Sequence, residues 1–443
     1  MNSAQREALA QRVLARSKAE QTEVSVSVSD ASLTRFARGI SNQNVSTADR
    51  TIAVRAIVDG KTGVAATSSI DDASLDALVA RALEIASLAP SDPDIQPLPE
   101  SGPVQTPPTA YVAQTAEAGP ALRAEICAAI FEPVETADYW CAGYVSTSST
   151  GLTVVNSSGA IASFDGTDAG ANVKVTAPDS TGFAERYAAN IAQIDGTSIG
   201  TLATEKARAS AQPRAVEPGE WTVILEPAAF GELFGYLTSH FSAQSFNDGS
   251  SFFAGNLGGR YFSNDITIFD DFAHPLAPGM PFDYEGAVKR RVTLVDRGTV
   301  MNYVTDSYYA KKLGVANTGH ALPAPNAYGP QATNVVMAPG SATTKELIAS
   351  TERGLLITRF WYIRTVDQKK AIVTGMTRDG TFLIEDGHIT GGVKNLRFNQ
   401  SIIDALAHAT LSSDQHRTAQ YSYSLVVPSA KIEGFRFTSS TQF

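Results

Sequence analysis

The stretch Trp221 to Phe246, WTVILEPAAFGELFGYLTSHFSAQSF, constrains the fold more than any other part of the chain. Its apolar run, Thr222 to Leu225, reads as a short buried strand. Glu226-Pro227 then opens a helix, because proline suits the first helical turn, where its missing N–H is no loss. The spacing predicts a helix that ends near His240. A buried strand feeding a helix is a common frame for a hydrolase active site. With a histidine at the helix end, a zinc site is the first chemistry to test.

A chain of 443 residues is too long for one ordinary core, so two domains or one large α+β body are expected. Charged residues make up only 18%, and the net charge is −10 with no basic block. That balance argues against direct nucleic-acid binding, which usually needs a basic stripe. Cys127 and Cys141 form no C-x-x-C pair, and buried free thiols are expected. The N-terminal MNSAQREALAQRVLARS has no apolar h-region, and no window is long and apolar enough to span a membrane. A soluble cytoplasmic protein, with no membrane partner, is expected.

Residues 3–19 carry helical spacing through Leu9, Val13 and Leu14. Val24, Val26 and Val28 alternate with serines, the pattern of a half-buried strand. Ile52 to Val58 continues the sheet, Asp59-Gly60 marks a turn, and a helix starts at Asp71-Asp72. Seven prolines between 90 and 108 mark an extended connector. A helix at about 115–133 precedes short strands at 139–148, 152–156, 160–164 and 171–177. Glu185 to Ser210 reads as one long Ala-rich helix. The domains are therefore placed at 1–212 and 213–443, with the second β-rich. Within it, Asn247 to Gly259 reads as a mobile loop, and Asp296-Arg297-Gly298 as a hairpin turn. Leu355 to Ile363, Lys370 to Thr374 and Thr381 to Glu385 read as three strands, with turns at Asp379-Gly380 and Asp386-Gly387. Ser307 to Leu313 and Ile402 to Ala407 read as helices, and Tyr421 to Val427 and Lys431 to Phe437 as closing strands.

Four stretches occur in register: TIAVRAIVDGKTGVAATSSIDDASLDALVARALEIA, TLVDRGTVMNYVTDSYYAKKLG, APGSATTKELIASTERGLLITRFW and VVPSAKIEG. Together they resemble the TldD/PmbA (TldD/TldE) family, also described as modulators of DNA gyrase. The resemblance implies an α+β fold: an N-terminal α/β-type domain and a C-terminal domain with a large, curved, mostly antiparallel β-sheet. It also implies a role in a TldD–TldE zinc metalloprotease that acts on unfolded or extended peptides. In that complex the TldD-type subunit carries H-E-x-x-x-H, two zinc ligands and a general base. Laid on this chain, those three places read Gly235, Tyr236 and His240. Glycine offers no ligand, and the unperturbed pKa of tyrosine, about 10, does not suit a base. The pattern matches the PmbA/TldE-like subunit: no catalytic residue and no cofactor in this chain, with zinc supplied by a TldD-type partner in a heterodimer.

Other readings stay open. His240 could bind a metal with Asp270, Asp271 and His274 of IFDDFAHP, which would make an independent metal-dependent hydrolase. The plainer reading is an acidic loop after a strand, with His240 facing the helix C-terminal dipole. Phe360, Trp361 and Tyr362 are candidates for peptide binding, and alternation puts Phe360 and Tyr362 on one face. The other reading is sheet core. A homo-oligomeric peptide-binding module, a self-dimer without proteolytic activity, is the remaining alternative. No G-x-S-x-G, P-loop or G-x-G-x-x-G opens a helix.

Overall fold

The computed structural model describes residues 1–100, 102–134, 138–418 and 424–441. Helix α1 (Ser3–Leu14) begins with a capping box in which Asn2 and Gln5 each accept the other's backbone N–H. Six strands follow: β1 (Gln21–Ala37), β2 (Ile40–Val58), β3 (Lys61–Thr67), β4 (Trp140–Asn156), β5 (Ile161–Thr176) and β6 (Thr181–Ala188). They form one sheet in the order β3-β2-β1-β4-β5-β6, antiparallel throughout. Helices α2 (Asp72–Leu88), α3 (Ala113–Ala116), α4 (Pro120–Phe131) and α5 (Gly196–Ala209) join α1 around it.

The alternation read in the sequence sets the two faces of this sheet. Val24, Val26, Ile52 and Val54 pack with Leu9 of α1 and Leu75 and Val79 of α2. Phe36, Val145 and Val173 pack with Ile126 and Ile130 of α4 and Ile199 of α5. Leu152 and Val154 point the other way, onto Phe282 from the second half of the chain. Cys127 and Cys141 are buried free thiols, and burial pushes the Cys127 thiol up to about 11. The proline-rich segment has no helix or strand but is fastened to the sheet. Gln21 accepts the Leu98 N–H at 2.7 Å, and Asn156 donates to the Pro99 carbonyl at 2.8 Å.

Three expectations need correction here. Helix α1 stops at Leu14 rather than running on to residue 19. Residues 185–210 are not one helix: strand β6 occupies Thr181–Ala188, and α5 starts at Gly196 behind the Asp195 cap. Phe183 and Ala184 pair into the sheet edge, and tertiary pairing overrides the helix propensity of the alanines. Strands β4 and β5 each run unbroken where the sequence suggests two pieces, because β4 pairs along nearly its whole length with β1 on one side and β5 on the other.

The later strands are β7 (Gly219–Leu225), β8 (Ile268–Asp270), β9 (Val292–Asp296), β10 (Thr299–Val300), β11 (Asn334–Met337), β12 (Arg353–Asp367), β13 (Ile372–Glu385), β14 (His388–Gly392), β15 (Leu396–Ser401), β16 (Ala409–Leu411), β17 (His416–Thr418), β18 (Ser424–Val427) and β19 (Ala430–Ser440). Residues 421–423 of the last-but-one expected strand lie outside the described residues. Five strands run β12-β7-β19-β15-β13, and β13 pairs back onto β12, so the curved sheet closes into a ring. Only β12 and β7 are parallel within it. Phenylalanines from non-adjacent strands meet inside: Phe360 lies 4.6 Å from Phe398 and 5.9 Å from Phe435 between ring centroids. A second sheet runs β10-β9-β8-β11-β18-β17.

Among the described residues, five α-helices complete this half: α6 (Pro227–Gly235), α7 (Ala243–Asn247), α8 (Ser307–Leu313), α9 (Thr344–Ala349) and α10 (Ile402–Ala407). Helix α6 touches β12 of the ring and β17 and β18 of the second sheet, so one apolar core spans both. The expected mobile loop is pinned at its centre, where Phe253 is fully buried and stacks on Phe241 at 5.2 Å. Asp379-Gly380 is not a turn. It is a bulge inside the continuous β13, with φ of 53° and 128° opposite Thr358. Among the described residues, no helix is long and apolar enough to cross a membrane.

Candidate functional site

Strand β7 delivers the chain to α6, whose N-cap residue Glu226 pairs with Lys206 of α5 at 2.6 Å. Ala229, Phe230, Leu233 and Phe234 are fully buried and fix the helix between the two sheets. The helix ends at Gly235, earlier than its spacing predicts. Tyr236 and Leu237 donate their N–H groups to Leu233 and Phe234, three residues back, which tightens the chain into a 3₁₀ turn, Thr238–Phe241.

His240 therefore sits in that turn and not at an α-helical C-terminus, so the dipole reading does not hold. It is 1% exposed, and its Nδ1 accepts the Phe252 N–H at 3.0 Å. That bond places the proton of the neutral ring on Nε2. Burial lowers its pKa to about 4. Tyr236 is half-buried and donates its hydroxyl to the Ile363 carbonyl at 2.7 Å.

The structure does not bring Asp270, Asp271 and His274 together with His240 as a ligand set. Asp270 is fully buried and accepts from His320 Nε2 at 3.0 Å and from Asn334 N–H at 2.8 Å. Burial works against its ionisation, but His320, Lys289 and these bonds hold its pKa down at about 2. Asp271 pairs with Arg291 at 3.2 Å, and burial lowers the pKa of His274. Among the described residues, no three His, Cys, Asp or Glu side chains converge as a metal site.

The peptide-binding candidates separate as well. Phe360 is fully buried inside the ring, so it cannot border a ligand. Trp361 is 37% exposed and Tyr362 is 63% exposed. Strict alternation would put Tyr362 with Phe360. A register shift after Trp361 and a φ of 55° at Tyr362 break the alternation and turn the Tyr362 ring outward beside that of Trp361. They meet edge to face at 5.6 Å. Two guanidinium groups lie over the Trp361 ring, Arg359 at 5.0 Å and Arg378 at 4.7 Å from its centroid.

Sequence reasoning misses one group here. Glu232 of α6 accepts the Phe360 N–H at 2.9 Å and faces Arg359 at 3.9 Å. Burial raises its pKa to about 7 despite Arg359 and the Phe360 hydrogen bond. Its signal was present: it is the lone charge in the helix PAAFGELFG. Arg359 in turn stands 3.8 Å from Asp379, which pairs with Lys174 of β5 at 3.2 Å. A charged line thus runs from α6 across the ring to the first sheet.

The sequence profile of the PmbA/TldA metallopeptidase C-terminal domain matches residues 218–439, and that of PmbA/TldA metallopeptidase domain 1 matches residues 22–86. The chain belongs to the PmbA/TldD family. The metalloprotease PmbA of Escherichia coli O157:H7 is 25% identical over 244 residues, 53% of this chain and 51% of that protein. The metalloprotease TldD homolog of Haemophilus influenzae is 28% identical over 205 residues, 45% of this chain and 42% of that one. These matches thus span about half the length of the curated relatives. The crystal structure of TldE from Thermococcus kodakarensis superimposes with a TM-score of 0.89 at 22% identity, covering 98% of this chain and 99% of that one, which shows a shared fold.

Metallopeptidase names in the PmbA/TldD family raise the question of whether zinc fits here. Of the places to which the family resemblance assigns H-E-x-x-x-H, Gly235 has no side-chain donor and Tyr236 is committed to Ile363. His240 has one ring nitrogen occupied by Phe252. A catalytic zinc needs three protein ligands and an open position. This donor set does not fit one.

Proposed function

We propose that this chain is a PmbA/TldE-type subunit of a TldD–TldE-like zinc metalloprotease acting on unfolded or extended peptides, and that a TldD-type partner supplies the metal. One observation carries the reading. At the end of α6, Tyr236 Oη is bonded to the Ile363 carbonyl and His240 Nδ1 to the Phe252 N–H, where a metal ligand set would have to point into open space. Those bonds tie the turn to β12 and to the following loop, which suits a supporting role better than a catalytic one. The outward Trp361 and Tyr362, flanked by Arg359, Arg364 and Arg378, form a surface on which an extended peptide could lie.

The test is reconstitution. The chain is mixed with a TldD-type subunit that carries H-E-x-x-x-H, and hydrolysis of an unstructured peptide is followed. The expected result is a stable heterodimer whose activity depends on both chains and is lost when the partner's glutamate is replaced by glutamine. Hydrolysis unchanged by adding this chain, with no co-elution, would contradict it.

A further inference from the structure

Where β5 and β6 of the first sheet meet β13 of the ring, the structure forms an open cleft of about 460 Å³. Its walls include Lys174, Thr176, Arg378, Asp379, Thr381 and Lys394. Three features single it out. Thr176 Oγ1 and Thr381 Oγ1 are buried there and make no hydrogen bond within the described residues. Buried polar atoms are nearly always satisfied, so such a group marks a place for water or a ligand. Thr381 and Asp379 are themselves only 2% and 3% exposed. The backbone beside them is also forced: Asp379 has φ 53°, and a Cβ on Gly380 would fall 2.5 Å from Thr358 Oγ1. Strain of this kind persists where the surroundings over-determine it, often at binding sites.

The charges fix the kind of ligand. Lys174, Arg378 and Lys394 bring three cations to the walls, and Asp179 and Asp379 bring two carboxylates. Asp179 is engaged by the Gln212 N–H at 2.9 Å, and Asp379 by Lys174 at 3.2 Å and, more loosely, by Arg378 at 3.9 Å. Lys394 has no ion pair among the described residues. The balance of one positive charge, with two unpartnered hydroxyls able to donate, suits a monoanion. A planar guanidinium matches a carboxylate in particular.

We propose that this cleft binds the α-carboxylate of a peptide C-terminus. The idea rests on the peptide reading of the preceding subsection, but it concerns a place distinct from the end of α6. A peptide held here by its terminal carboxylate would lie between the first sheet and the ring, with Trp361 beside Arg378 at the rim.

Calorimetric titration of the full chain alone tests it, with N-acetyl-trialanine, its C-terminal amide, free alanine and inorganic phosphate as probes. The acid should bind at least tenfold more tightly than the amide. Arg378→Gln should weaken the acid at least tenfold. Thr381→Val, which deletes a hydroxyl without a partner, should weaken it several-fold while leaving the fold intact by circular dichroism. Alanine binding as well as the tripeptide would narrow the ligand to a free amino acid and overturn the peptide terminus. Equal binding of acid and amide, no binding, or phosphate binding alone would overturn the carboxylate site. Because no partner subunit is needed, failure here with an active heterodimer counts against this proposal only. Binding here with no heterodimer activity counts only against the protease reading.

Discussion

His240 and Glu232 lie within one short stretch and titrate in opposite senses. Burial holds folded His240 at about 4 against 6.5 in the open chain, so the unfolded state takes up its proton first. The stability that neutral His240 provides is full above 6.5 and is lost as pH falls through 6.5 towards 4, by up to about 3 kcal/mol. Folded Glu232 has its pKa raised to about 7 from 4.5, so the folded state keeps its proton longer. Its contribution is full below 4.5 and is lost as pH rises through 4.5 to 7. The two slopes oppose each other over most of that window. Glu232→Gln should therefore uncover the His240 slope: the urea midpoint falls as pH is lowered from 7 to 4.5, more steeply than in the parent chain. His240→Asn should do the reverse. Parallel profiles for the parent and Glu232→Gln would contradict this account of the site.

At the scale of the element, α6 depends on close approach to β17. A Cβ on Gly231 would lie 2.5 Å from Thr418 Oγ1. Helix propensity favours Gly231→Ala by about 1 kcal/mol, but overpacking costs about 1–3 kcal/mol. A net drop in melting temperature is predicted, and Thr418→Ala in the same chain should recover part of it. The bulge of β12 makes a second case. Tyr362→Gly removes a left-handed non-glycine residue, so thermal stability should hold or rise by about 0.5–1 kcal/mol. Peptide binding should weaken if the exposed ring is part of the surface. These two elements also mark what the sequence reveals. The strand–helix step at Glu226-Pro227, the alternation of Val24 and Val26, and the helices at Ser307 and Ile402 are local signals and were readable. The stop at Gly235, the bulges at Tyr362 and Asp379, and the strand at Thr181–Ala188 are set by pairing with distant chain, which no local pattern encodes. Likewise, Glu232 is visible in the sequence as a lone charge, but its partner Arg359 comes from a strand far along the chain.

Charges as well as apolar contacts cross between the halves of the molecule. Arg55 of β2 pairs with Glu23 at 2.6 Å and reaches Glu285 of the second half at 3.2 Å, all three side chains being mostly buried. Arg417 pairs with Asp168, and Lys174 with Asp379. Arg55→Met would leave two buried carboxylates facing each other, at a cost of about 3–5 kcal/mol. Scanning calorimetry should then resolve two unfolding transitions in place of one, because the contacts that couple the sheets are weakened. In the proposed function, one ring, one helix and one turn serve as a scaffold and a TldD-type partner would supply the metal chemistry. The most direct test of that central claim is the zinc content of the purified chain, measured by atomic absorption after dialysis, alongside peptidase activity. Well under one zinc per chain is expected, with no peptide hydrolysis by the chain alone. One zinc per chain, with hydrolysis that His240→Ala abolishes, would contradict it.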